Sequence, residues 1–301
     1  MYLNRKLRVS HFSFGLILFF LAVSLDAAED KTKHHLFRPT PKNLMREMST
    51  DRPDQTESPY TVDAGHVQIE IDAINATFDR TRAVTIDNVK ERSVSYGAFN
   101  FKIGLLHNVD LQFLVDTHVR QRTEDLDAYF TAEGEDMEVA VTKASGLGDV
   151  QTRLKINLWG NDAGTTAFAI MPFFKWPLPQ SDVRNGQLEG GVIFPLAIAL
   201  PLDFGLGLQT QIDFVSIEEK DYQVELFNTL TVGRDLIGPL AAYVEFAALL
   251  KPQTDDEWQG QVDVGFTISP INNIQFDFGC NFGVTPSAPD YNPFLGLTLR
   301  L

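Results

Sequence analysis

The chain of 301 residues has one cysteine, Cys280, so no disulfide can form within it. Small exported domains lean on disulfides, whereas membrane barrels do without them. Basic residues are scarce: 25 Lys and Arg stand against 40 Asp and Glu, a formal net charge of −15. A nucleic-acid partner is therefore not expected, because binding nucleic acid needs a basic footprint. Long apolar runs are missing beyond the first thirty residues. The longest, Gly191 to Leu200, is too short for a membrane helix and contains Pro195. If the mature chain enters a membrane at all, it enters as strands. A Gly-x-Ser-x-Gly element is absent. His34 and His35 are adjacent with no further ligand set near them in sequence, so neither a metal nor a cofactor is expected.

What is present begins with a secretory pattern. Arg5, Lys6 and Arg8 precede the apolar core Gly15 to Val23, and small residues follow at Ala27 and Ala28. Residues 1–28 thus read as a signal peptide, directing export in a Gram-negative-type cell. Residues 29–63 are polar and proline-containing with no lasting period, and are expected to form a periplasmic leader or partial plug. Residues 64–301 carry the strand pattern.

Val109 to Arg120 shows that pattern most clearly. Val109, Leu111, Phe113, Val115, Thr117 and Val119 alternate with Asp110, Gln112, Leu114, Asp116, His118 and Arg120. Strand side chains point alternately to opposite faces, so one face is apolar and the other polar. Similar segments recur over about 66–78, 93–105, 149–159, 165–176, 187–200, 205–217, 222–232, 239–250, 258–268, 274–282 and 291–301. With the first, this gives an all-β fold: an antiparallel transmembrane β-barrel of about 12 strands, lipid outside and water inside. Short turns alternate with longer connections, as periplasmic turns and external loops do. Residues 121–145 read as the longest loop, with seven acids and no base from Glu124 to Glu138. Pro195 predicts a bulge or a locally broken pairing. Phe99, Trp159, Trp176, Tyr222 and Trp258 fall near strand ends, where interface aromatics belong.

The most distinctive passage is Thr50 to Pro59, with Asp51, Arg52, Pro53, Asp54, Gln55, Thr56, Glu57 and Ser58, followed by Thr61, Val62, Gly65 and Gln68-Ile69-Glu70. It resembles the opening motif of the meta-pathway phenol-degradation family of outer-membrane proteins. Gly146-Leu147-Gly148-Asp149-Val150, with Lys155 after it, is similar to that family's internal glycine–aspartate strand opening. The resemblance extends from about Thr50 to Leu301 and implies an outer-membrane location and a transport role. The family's association with phenol suggests small aromatic or hydrophobic solutes without fixing one.

The alternation places Asp110, Gln112, Asp116, His118, Arg153, Lys155, Lys175, Glu245, Asp263 and Asp277 towards the lumen. Both signs of charge occur, so a charge ladder across a pore is expected, with passive uptake made selective by its width and these charges. The same residues would serve a sealed structural barrel by pairing with one another. A lipid hydrolase is the third reading. It needs a nucleophile beside a histidine, with His118 the best available, and the alternation turns His118 away from lipid. A soluble β-sandwich is disfavoured by the regular apolar stripes. The expected partners are outer-membrane lipid, the outer-membrane assembly machinery and a small solute.

Overall fold

In the computed structural model, the described residues are 30–82, 88–125, 140–162, 164–179, 183, 186–218, 221–254 and 257–301. The signal-peptide expectation over 1–28 and most of the acidic stretch after Asp125 lie outside them.

Fourteen strand segments follow one another: β1 Val67–Arg82, β2 Asn88–Leu106, β3 Val109–Val115, β4 His118–Asp125, β5 Ala140–Gly146, β6 Val150–Trp159, β7 Thr166–Lys175, β8 Glu189–Ala199, β9 Phe204–Glu218, β10 Asp221–Ile237, β11 Leu240–Leu250, β12 Gln259–Ile271, β13 Ile274–Gly283 and β14 Tyr291–Arg300. β3 and β4 both pair with β2, one after the other, and are two halves of one strand. β5 and β6 likewise pair with β4 and β3 and form another. The barrel therefore has twelve strands, all antiparallel, each hydrogen-bonded to its sequence neighbours. β1 pairs with both β2 and β14, which closes the ring and removes the sheet edge that lipid cannot satisfy. The last residue takes part in the closure, since Leu301 N–H donates to the Val67 carbonyl at 2.8 Å.

Burial is inverted relative to a water-soluble protein. Lys102 and Lys155 are 1% exposed, while Phe276 and Leu295 are 45% and 47% exposed. Such a distribution suits a barrel whose outer face meets hydrocarbon and whose polar groups turn inward. Trp159 lies at the short-turn end, and Trp176, Tyr222 and Trp258 lie towards the loop end, all outward and exposed.

Three local features differ from the sequence expectation or refine it. First, residues 121–145 are not all loop. β4 runs to Asp125 and β5 resumes at Ala140, with Arg122 opposite Lys143 and Thr123 opposite Thr142. This polar hairpin pairs through its backbone and needs no apolar face, so alternation could not reveal it. Second, Pro195 produces no bulge. β8 keeps one register against β9, and its ladder to β7 skips Phe194 and Pro195 before resuming in the same register. Third, a row of irregularities crosses four strands: Ala73 is bulged out, Gly97 has φ +65°, β3 stops before Asp116 and β6 starts after Gly148. Gly148 packs where a Cβ would collide with Asp116, and its N–H donates to the Asp116 carbonyl at 2.8 Å. The glycine-rich stretch at 146–149 is thus the point where two strands kink together.

Candidate functional site: a charged segment inside the barrel

The chain before β1 does not stay outside the barrel. Its first part is fixed at the short-turn end, where Leu36 N–H donates to the Leu105 carbonyl at 2.8 Å and a 3-10 turn forms over Lys42–Leu44. Arg46 holds Asp162 in the β6–β7 turn at 2.9 Å, and Lys31 holds the same carboxylate at 2.5 Å. Burial alone would raise the Asp162 carboxyl, but these two cations outweigh it and lower it below the ordinary range.

From Ser49 the chain enters the lumen, where Thr50, Asp51, Arg52, Gln55, Thr56 and Glu57 each bond to the wall. Asp51 is the hub. Its Oδ1 meets Lys155 Nζ at 2.5 Å and accepts from Ser58 N–H at 3.0 Å. Its Oδ2 meets Lys102 Nζ, which also binds Glu70. Burial opposes the charge on Asp51, but Lys102 and Lys155 prevail and hold the carboxyl far below its usual range. Arg52 spans two strands, with Asp72 at 2.7 Å on β1 and Asp277 at 2.7 Å on β13. Gly296, on β14 between them, leaves no room for a Cβ beside the guanidinium. Glu57 closes the set with an ion pair to Arg153.

The opposite wall engages the segment differently. Gln55 N–H donates to Glu245 Oε2 at 2.7 Å, and its side-chain amide donates to Asp263 Oδ2 at 2.7 Å. Thr56 Oγ1 lies 2.6 Å from Thr229 Oγ1, and Glu57 N–H donates to Gln209 Oε1 at 2.7 Å. All these donors are neutral. Among the described residues, neither Glu245 nor Asp263 forms an ion pair, although they are cross-strand partners and are 1% and 0% exposed.

The segment lies between two cavities that share Glu57. One, of about 620 Å³, is lined by Asp54, Thr56, Tyr243 and the turn residues Leu200 and Asp203. The other, of about 190 Å³, lies towards the loops and is lined by Arg52, Asp72, Asn100, Asp116 and Arg153.

Of the ten lumen candidates, Asp110, Gln112, Lys155, Glu245, Asp263 and Asp277 are buried against the segment or its neighbours. Asp110 Oδ2 accepts from Val62 N–H at 2.9 Å, and Gln112 donates to Asp110 at 3.0 Å. Arg153 is half-buried on Glu57, and Asp116 lines the smaller cavity. Lys175 sits higher, between Asp149 at 2.7 Å and Glu189 at 2.8 Å. His118 requires correction. Cross-strand partners share a face, and His118 pairs with Tyr96, Tyr96 with Ile74, and Ile74 with the outward Leu295. The irregular row lies between Val115 and His118 and reverses the alternation, so His118 faces outward. Glu70, Asp72 and Lys102 belong to the site but are not among the ten. The same alternation that marked Asp110 also turns them inward.

A closed twelve-strand antiparallel barrel with a charged N-terminal segment in its lumen is the architecture of an outer-membrane-type β-barrel. The chain belongs to the family described as "Putative MetA-pathway of phenol degradation", whose model matches residues 50–301. The matched span starts with the lumen segment and includes every strand. No curated protein matches the chain. Among solved structures it is similar to the COG4313 outer membrane channel from Pseudomonas putida F1, with TM-score 0.54 and 11% identity over 84% of this chain and 100% of that one. It is also similar to the translocator domain of autotransporter NalP from Neisseria meningitidis, with TM-score 0.48 and 8% identity over 78% of this chain and 88% of that one. For the NanC porin the values are 0.47 and 8%, over 77% and 100%. At these identities the likeness to the first is one of fold.

Proposed function

We propose that the chain is an outer-membrane channel for passive passage of small solutes, exported by its first 28 residues and inserted by the outer-membrane assembly machinery. The observation that carries this reading is the lumen segment with a cavity on each side. Barrels of eight strands are filled by their own side chains, and those of sixteen or more leave an aqueous channel. Twelve strands lie between, and here the residues from Ser49 to Pro59 set the constriction. The buried carboxylates of β11 and β12 have no cationic partner among the described residues, so the conducted ions are expected to be mainly cations. The family's description keeps aromatic solutes among the candidates. The reading is of a channel: His118, on which the hydrolase alternative relied, does face the lipid side, but among the described residues it stands beside Tyr96, ring centroids 6.3 Å apart, with no nucleophile hydrogen-bonded to it.

Single-channel recording of the refolded chain from residue 29, and of one starting at residue 59, tests the proposal. The expected result is small, cation-selective steps from the longer chain and larger, less selective ones from the shorter. Folded barrels that are silent in both forms would overturn the channel reading and leave a sealed structural barrel.

A further inference from the structure

The polar hairpin above the irregular row separates its charges by face. Register carries the outward assignment from Ile74, Ala76 and Phe78 to Tyr96, Val94 and Arg92, and on to His118, Arg120 and Arg122. Lys143 is opposite Arg122 and shares its face. Arg92, His118, Arg120, Arg122 and Lys143 are all exposed. The one acid among the described residues of β4 and β5 on that face is Glu124, held by Arg122 at 2.7 Å. The inward positions of β2 and β4 at the same level carry Glu91, Ser93, Ser95, Gln121 and Thr123. A chain with a net charge of −15 thus collects bases on one outward strip.

The position of the strip indicates what it meets. Phe78 stacks on Tyr291 at 4.8 Å, and Tyr291 opens β14 at the loop end, where the exposed Trp176, Tyr222 and Trp258 also lie. Such a belt marks the level of lipid headgroups. Arg92 lies over the Phe78 ring, 5.9 Å from its centroid, so the bases begin where the aromatic belt ends. Arginines clustered at this level suit phosphate oxygens, which they bind in bidentate fashion.

We infer that the outward face of β2, β4 and β5 binds the phosphorylated headgroups of lipids in the loop-side leaflet. The inference goes beyond conduction and does not depend on it, because the strip lies outside the lumen.

The test uses the full mature chain refolded in a zwitterionic detergent and incubated with bisphosphorylated lipid A, with the same lipid stripped of both phosphates, or with bisphosphorylated lipid A and excess inorganic phosphate. Lipid retained after gel filtration is weighed against protein by mass spectrometry. The expected result is retention of the phosphorylated lipid at least fivefold above the stripped one. Retention should fall at least fivefold in an Arg92→Gln, Arg120→Gln, Lys143→Gln variant that still shows heat-modifiable mobility, and inorganic phosphate should compete only weakly. Equal retention of both lipids by the unaltered chain, or undiminished retention by the folded variant, would overturn the inference. So would full displacement by inorganic phosphate at the ionic strength of a chloride control that displaces nothing, since that marks a site for the free anion. The lipid comparison decides even if the triple variant does not fold.

Discussion

The two walls of the lumen hold the same segment by different chemistry. On the side of β1, β2, β3 and β6, cations and carboxylates are matched: Asp51 and Glu70 share Lys102, Asp51 also has Lys155, and Glu57 has Arg153. On the side of β9 to β12, Glu245 and Asp263 receive only neutral donors from Gln55 and Thr56. A matched buried pair is costly to break, because the surviving charge is stranded. A carboxylate that accepts neutral hydrogen bonds can be made neutral with little loss. The first wall therefore fixes the segment, and on the second the two facing carboxyls hold one negative charge between them.

The largest effect is expected from Lys102→Met. It leaves Glu70 without a cation and Asp51 with Lys155 alone, a loss on the order of 3–5 kcal/mol by the usual cost of breaking a buried pair. The segment should leave the wall, which limited digestion with a glutamyl endopeptidase would report as new cleavage after Glu57 in the folded barrel. Resistance equal to that of the unaltered chain would mean that the ion pairs do not anchor it.

Glu245→Gln sharpens the contrast from the other side. Its amide oxygen can still accept from Gln55, so stability in urea should change by only about 1 kcal/mol. The reversal potential in a salt gradient should hardly move, because Asp263, its cross-strand partner, keeps the one charge that two facing buried carboxyls can hold. A large loss of stability would reverse the roles assigned to the two walls.

The smallest effect belongs to the stalk. The Asp162 carboxyl is lowered in the folded chain, so it stabilises above the unfolded value of about 3.9. That contribution is lost as the pH falls through the lowered value. A nitroxide at position 44, placed by Leu44→Cys in a Cys280→Ala background, should stay immobile down to about pH 4 and loosen only below it. In Asp162→Asn it should be looser at neutral pH as well.

Much of this was legible from alternation. Residues 109–115 read correctly because lipid on one side and a polar interior on the other impose the alternation, and the twelve-strand count followed from repeating that test. The reading failed at His118 because a bulge shifts the phase by one residue, and neither Gly97 nor Asp116 announces it without its neighbours. It passed over Asp125 and Ala140 because strands standing in water have no apolar face to show. The passage from Thr50 to Pro59 stood out as charged and stiff. The particular pairing of Arg52 with Asp72 and Asp277 was beyond reach, since it joins residues 225 positions apart in one case.

That pairing bears on the order of assembly. β1 is made first and β13 nearly last, and they come within reach of a single guanidinium only when β14 lies between them. Arg52 therefore acts as a clasp across the final seam. Two of its ligands are offered together only to a ring that has already shut, so a cylinder still open on that side has nothing to fasten its core in place.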